Sequence, residues 1–323
     1  MTSLSVRPVT FLSVIYTQKT HNVRFWKISE RERYIRRSAA TVAGKSTCSK
    51  PRWQRKAKRG MIIPIKRITK AIFATLGYDI VRSSYADDVR SSYSDDFDAF
   101  KQQRRLLSDV PSPVIFDVGA HRAETSRIYA ELFPNAVIHA LEPFPESFEA
   151  LVRNTFHLPQ VTAHPIGLAQ ANRDMELNAN VFTPTNSLLE THELASEVWG
   201  MGLLDTQARV VCKFMTLDAF LAENHINHVN LLKLDVQGAE YKVFEGGKNA
   251  FAKGMLDVIY MEIITLPTYK QQWQLAKYLE FLGDKDFQLH GIYNLSCISG
   301  QLRQIDAIFV RNGFTSPIPL KHA

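Results

Sequence analysis

The chain has 323 residues, of which 45% are apolar and 22% charged, the ordinary composition of a globular protein with room for one large domain or two small ones. No run of eighteen apolar residues exists, which excludes a transmembrane helix, and the apolar stretch 11–16 is too short for a signal-peptide core. The net charge of +7 is uneven: residues 1–60 hold 15 Lys and Arg against two Glu, a net of +13, while the rest of the chain is net −6.

Residues 1–60 show no sustained helical or strand period and read as a basic, disordered extension or leader. Such a tail can also bind nucleic acid or a membrane surface. Residues 61–110 form an N-terminal helical segment and linker. Within it, 61–73 is a short amphipathic helix, and Arg82-Ser-Ser-Tyr-Ala-Asp-Asp recurs as Arg90-Ser-Ser-Tyr-Ser-Asp-Asp, two copies that are too few for a solenoid.

From Pro111 to residue 312 short apolar runs alternate with helical patterns, the signature of a parallel sheet with crossover helices. Strands are expected at 114–118, 136–141, 161–166, 229–234 and 256–263, followed by two closing strands at 287–293 and 305–310. Helices are expected at 123–133, at 145–156 with Pro145 in its first turn, at 217–222 capped by Thr216, at 240–251 with a break at Gly246-Gly247, and at 269–282. Residues 171–190 read as a loop with extended pieces, 208–215 as a further extended run, and 313–323 as a tail. Cys48, Cys212 and Cys297 are odd in number and form no CxxC pair, so neither a zinc site nor a disulfide framework is expected. Cys212 and Cys297, in apolar stretches, are expected to be small buried thiols in a reducing, cytoplasmic setting.

Open α/β sheets bind ligands at the carboxyl ends of their strands, and three of these ends carry chemistry. The first reads Phe116-Asp117-Val118-Gly119-Ala120-His121-Arg122-Ala123. Gly119 permits a sharp turn and close backbone approach. A dinucleotide fingerprint would need further glycines where His121, Arg122 and Ala123 stand, and Asp117 would repel a pyrophosphate. A ligand with an ammonium or sulfonium group suits that carboxylate, and S-adenosylmethionine carries both and no phosphate. A purely structural turn is the alternative. The second, Leu141-Glu142-Pro143-Phe144, puts an acid roughly 20 residues beyond the glycine turn, where it can accept hydrogen bonds from both ribose hydroxyls. The third, Leu232-Lys233-Leu234-Asp235-Val236-Gln237-Gly238, delivers Asp235 to the same edge to orient a substrate, act as a base, bind a metal or cap the next helix.

Together with Thr216-Leu217-Asp218-Ala219-Phe220, Tyr260-Met261-Glu262-Ile263 and Asp306-Ala307-Ile308-Phe309-Val310-Arg311, these segments make residues 111–312 resemble the FkbM family of methyltransferases. The resemblance implies a Rossmann-like class I α/β fold: a seven-stranded, mostly parallel sheet with an antiparallel last strand and helices on both faces. It implies S-adenosylmethionine as donor and a hydroxyl on a sugar or natural-product scaffold as acceptor. Asp117, Gly119 and Ala120 match the donor-binding turn, Glu142 the ribose acid, and Gly167 the neighbourhood of the adenine edge. Two positions depart from the family pattern: Ala123 replaces a usual glycine, and Gln237 replaces the usual glutamate after Asp235.

Removing a proton from a hydroxyl acceptor calls for a base, and Asp235, Glu262 and His121 are the candidates by their place at strand ends. Asn186-Ser187-Leu188 lies in a long loop of the kind that contacts substrates. Two other functional classes compete. A nucleic-acid methyltransferase would ordinarily carry a Pro-Pro-aromatic run after Asp235 to stack on a flipped base. Val236-Gln237-Gly238 stands there instead, and the domain is acidic, so nucleic acid is disfavoured, although a ribose hydroxyl of RNA remains open. A catalytically degenerate binding module is kept open by Gln237. No sequence cluster indicates a metal, and no pattern fixes the oligomeric state.

Overall fold

The computed structural model describes residues 97–200 and 202–314. The expectations for 1–60, for the amphipathic segment and repeat at 61–96, and for 315–323 lie outside them.

In chain order the elements are α1 (Ala99–Leu106), β1 (Val114–Val118), α2 (Glu124–Leu132), β2 (Val137–Leu141), α3 (Pro145–Thr155), β3 (Val161–His164), β4 (Gly167–Leu168), β5 (Arg173–Asn180), α4 (Ala195–Trp199), β6 (Thr206–Met215), α5 (Leu217–Glu223), β7 (Val229–Leu234), α6 (Glu240–Glu245), α7 (Lys248–Ala252), β8 (Leu256–Ile264), α8 (Leu275–Gly283), β9 (Phe287–Ile298) and β10 (Gln301–Arg311). The main sheet has the order β3-β2-β1-β7-β8-β10-β9. All of its pairings are parallel except those of β10, which runs antiparallel to both β8 and β9. This is the expected seven-stranded sheet with an antiparallel last strand.

Period-two patterning sends the two faces of each strand into different cores. Phe116, Val118, Leu232 and Leu234 pack with α5, α6, α7 and α8, whereas Ile115, Ile138, Leu231 and Val258 pack with α1 and α2. The helix starts follow local chemistry. Asp98 accepts hydrogen bonds from the N–H groups of Phe100 and Lys101, Thr216 accepts one from Ala219, and Pro145 occupies the first turn of α3. Gly246-Gly247 separates α6 from α7, as the sequence predicts. A Cβ on Gly246 would lie 2.2 Å from the Ala169 carbonyl oxygen, so the break lets this chain segment press against the loop after β4.

The structure departs from the sequence reading in four places. The expected strand 161–166 ends at His164, and Gly167–Leu168 leaves the main sheet to pair with β6. The loop with extended pieces expected at 171–190 holds the eight-residue strand β5, and β4, β6 and β5 form a second, three-stranded sheet that the sequence reading did not contain. The helix expected from residue 269 begins only at Leu275, because the Gln272 side chain accepts hydrogen bonds from the N–H groups of Thr268 and Tyr269 and fixes a turn there. Cys212 is buried as expected, but Cys297 is exposed, since it sits near the tip of the β9–β10 hairpin with little packed above it.

His139 on β2 and His164 at the end of β3 stack with Nδ1 of the first 3.0 Å from Nε2 of the second, both edge-on to Phe220. Burial, and then the neighbouring His164, pushes the His139 imidazole down to about 4, and burial lowers His164 as well. Both rings resist protonation in the folded state more than in the unfolded one. Their contribution to stability is therefore complete above the ordinary imidazole pKa and is lost as pH falls from about 6.5 toward 4. Thermal unfolding across that range is expected to show a lower Tm at the acid end, and His139→Leu is expected to flatten this decline relative to wild type.

Candidate active site

The strand order reverses between β1 and β7, and the carboxyl ends of these two strands form the crevice where open α/β sheets bind ligands. In register, Asp117 on β1 is the direct neighbour of Lys233 on β7. Lys233 is 4% exposed, Asp117 fully buried, and the ammonium lies 2.8 Å from Asp117 Oδ1. Ser126 of α2 donates to Asp117 Oδ2 at 2.6 Å. The Lys233 ammonium also donates to the Gly119 carbonyl at 3.0 Å and stands 3.9 Å from Asp235 Oδ2. Asp117 thus meets Lys233 and Ser126 rather than open space, and its place is beneath the turn.

Gly119 has φ +74°, and a Cβ there would lie 2.0 Å from the Asp235 carbonyl oxygen. The close approach that makes glycine necessary is to the chain's own backbone at the end of β7. Ala120 is buried against Ala123, Ala140 and Leu151, and its N–H, like that of Gly119, donates to the Leu141 carbonyl. Ala123, at the usual glycine position, is held at φ +75° just before α2. Glu142 is 7% exposed; Oε2 accepts from the His121 N–H and Oε1 from the Phe144 N–H, each at 2.9 Å. Burial raises the Glu142 pKa, opposed by those two N–H groups, His121 and Lys233. The His121 ring lies 3.1 Å from Thr183 Oγ and 3.4 Å from Glu124, which ties the turn to the loop after β5. Gly167 is buried in the second sheet, and a Cβ there would lie 2.2 Å from the Phe214 ring.

Asp235 and Glu262 come together through Gln237, whose Nε2 lies 2.8 Å from Asp235 Oδ1 and 3.2 Å from Glu262 Oε2. Gln304 donates to the other Glu262 oxygen at 3.0 Å. Ser187 of the expected substrate loop donates to the Gln237 carbonyl. Glu240, just beyond, accepts from the N–H groups of Val236 and Gly238 and from the Tyr278 hydroxyl; burial and the nearby Asp235 push its pKa up to about 7.

Ser126, Gln304, Tyr269 and Glu240 are not picked out as site residues by the sequence, and Lys233, though inside the quoted third segment, is given no role there. Lys233 alone leaves a trace, since a lysine inside the apolar strand Leu231–Leu234 is buried and a buried lysine is nearly always paired. Among the described residues no group of three or more His, Cys, Asp or Glu side chains is arranged to hold a metal ion, and no helix there is long and apolar enough to cross a membrane.

The donor set at this edge fits S-adenosylmethionine and not a dinucleotide. The Arg122 N–H at the start of α2 is already taken by the Glu124 carboxylate, where a pyrophosphate would bind. Glu142 and Asp235 present negative charge suited to hydroxyl donors and cationic groups. A family model described as the methyltransferase FkbM domain matches residues 117–289, more than half of the chain. The chain belongs to that family and is an S-adenosylmethionine-dependent methyltransferase. It is similar to the 2-O-methyltransferase NoeI of Sinorhizobium fredii, 24% identical over 200 residues that cover 57% of this chain and 77% of that protein. It is also similar to Methyltransferase 1 of Beauveria bassiana, 28% identical over 142 residues, 41% of this chain and 57% of that protein. Among solved structures it is similar to the magnesium protoporphyrin IX methyltransferase of Synechocystis PCC 6803 with bound S-adenosylmethionine, at 14% identity and a TM-score of 0.35, covering 78% of this chain and 99% of that one.

Two substitutions test this geometry. Gly119→Ala combines a left-handed φ with a backbone clash and is expected to destabilise the protein by roughly 3 kcal/mol or more, read from the denaturant midpoint. Glu240→Gln keeps the hydrogen-bonding shape without the charge. A carboxyl whose folded pKa is raised loses its stabilising contribution as pH climbs from about 4.5 through 7. The variant is therefore expected to melt at or near the wild-type temperature at pH 5 and several degrees higher at pH 8.

Proposed function

We propose that this enzyme methylates a hydroxyl oxygen on a sugar or a related small molecule. The observation that carries the reading is the pair of carboxylates, Asp235 and Glu262, joined through Gln237 beside the turn that Lys233 and Asp117 build. A hydroxyl is a poor nucleophile until its proton leaves, and a carboxylate within hydrogen-bond reach can accept it. A neutral amine, whose lone pair is nucleophilic without prior loss of a proton, would have less use for two such groups. The similarity to a 2-O-methyltransferase points the same way.

In this reading Glu142 holds the ribose hydroxyls of the donor, its remaining acceptor capacity directed by the two N–H groups that fix its oxygens. Bound at the edge, S-adenosylmethionine supplies an electrophilic methyl group on a sulfonium. Asp235 and Glu262 orient the acceptor hydroxyl and take its proton. His121, engaged by Thr183 and Glu124, ranks behind them and serves the placement of Glu142 through its backbone N–H. Rate comes chiefly from holding the two reacting groups close and in line. The stretch 181–190, which reaches the turn through Thr183 and Gln237 through Ser187, would select the acceptor in this reading.

Calorimetric titration of the full chain with S-adenosylmethionine is expected to give micromolar binding that Glu142→Gln weakens at least about tenfold, the loss of one charge-assisted contact. Transfer of a labelled methyl group to a panel of mono- and oligosaccharides is expected to label a hydroxyl oxygen. Asp235→Asn and Glu262→Gln should each lower that rate, the stronger of the two by about 100-fold or more. Labelling of nitrogen, or of RNA and no sugar, would reject the proposal.

A further inference from the structure

The amide between the two carboxylates is held from several sides. Gln237 occupies a left-handed backbone conformation at φ +55°, and its carbonyl accepts from Ser187 at 2.8 Å. Its side-chain oxygen lies 3.1 Å from the Tyr269 hydroxyl oxygen, whose one proton is shared with the Thr185 carbonyl at 2.8 Å. The flanking groups fix which way the amide points: carboxylates only accept, so the NH2 must lie between Asp235 and Glu262. A carboxylate at this position would have no proton to offer either neighbour.

We propose that Gln237 is a positioning residue, a neutral double donor that locks Asp235 and Glu262 into one acceptor-facing pair and relieves the repulsion between them. This rests on the hydroxyl-methylating reading of the edge and deepens it. Each N–H favours the ionised form of the oxygen it meets, so one uncharged side chain keeps two bases available. Other groups crowd the pair. Lys233 is 3.9 Å from Asp235, Gln304 donates to Glu262, and Asp306 on β10 is the direct register neighbour of Glu262. Glu240 feels the charge of Asp235, and Asp306 is met by the Tyr260 hydroxyl and by Asn294. Around Tyr269 the charges of Glu262, Asp235 and Glu240 add to burial in raising its phenol pKa. In this acidic neighbourhood the glutamate usual in the family would add a third carboxyl, whose ionisation Asp235, Glu262 and Glu240 would oppose.

The test is thermal unfolding of the full chain at pH 5 and pH 8, for wild type, Gln237→Glu and Gln237→Met. Gln237→Glu has the same shape, removes both donors and adds a charge. A carboxyl in that trio acquires a raised folded-state pKa, so stability is lost as pH rises through it. The Tm deficit against wild type is expected to be at least about twice as large at pH 8 as at pH 5. Gln237→Met, which removes the donors without adding charge, should show a smaller deficit with the same trend, and it keeps the test open if the glutamate variant fails to fold. Adding Glu262→Gln to Gln237→Glu should remove at least about half of the pH-dependent part, because a donor then returns to the trio. A deficit equal at both pH values in the variants that fold would mean that Gln237 only fills space, and would overturn the proposal. The melting needs no acceptor, so failure of the hydroxyl-methylating reading shows separately, as wild-type enzyme that binds donor and labels no hydroxyl. With an acceptor in hand, Gln237→Glu should move the acid limb of the rate–pH profile upward by about one unit, the size of a close like-charge interaction.

Discussion

Lys233 is a cation almost without access to water, and most of the ligand edge is arranged around it. It stands beside Asp117 in strand register, reaches the Gly119 carbonyl and lies near Asp235. Bringing an ammonium and a carboxylate out of water costs several kcal/mol per ion, and their attraction offsets this only when the remaining donors and acceptors are filled. Here the Ser126 hydroxyl and the Gly119 carbonyl do that filling. The pair therefore contributes position more than stability. It pins the end of β1 to the end of β7 at the place where the strand order reverses, and the Gly119 turn closes against the Asp235 backbone with no room for a side chain.

The surrounding chemistry follows from the number of acids this edge must carry. Asp117 is neutralised by a lysine, Glu142 is held by two backbone N–H groups, and Asp235 and Glu262 share an amide. Glu240, buried beside Asp235, has its pKa pushed up to about 7. Each device leaves the neighbouring group usable. The result is a strand edge at which Asp117, Glu142 and Glu240 are buried and each held by its own partners, while Asp235 and Glu262 are only partly buried.

Much of this was legible in the chain. The alternating strands and helices, the boundaries of β1 and β7, the Thr216 cap, the break at Gly246-Gly247 and the edge positions of Asp117, Glu142, Asp235 and Glu262 follow from period, turn chemistry and spacing. The second sheet did not, because β4 is two residues long and β5 carries polar residues at Arg173, Asp174 and Glu176 that look like loop composition; its pairing with β6 is tertiary. The reason for each glycine was also hidden. Gly119 reads as a place for a ligand to approach, and the atom that approaches it is the Asp235 carbonyl oxygen; Gly167, matched only to the neighbourhood of the adenine edge, lies against the Phe214 ring. Gln237 looked like the loss of a carboxylate, and only its two partners, one of them 25 residues away in sequence, give its amide a purpose.

If the buried ion pair sets the turn after β1, the substitution Lys233→Met must disturb both stability and donor binding. This variant, which strands Asp117 without its cation, is expected to lose about 3–5 kcal/mol of stability and to bind S-adenosylhomocysteine far more weakly by calorimetry. Adding Asp117→Leu is expected to recover most of the stability while donor affinity stays low, because the turn has lost its anchor. A Lys233→Met protein that melts and binds like wild type would contradict that role of the ion pair.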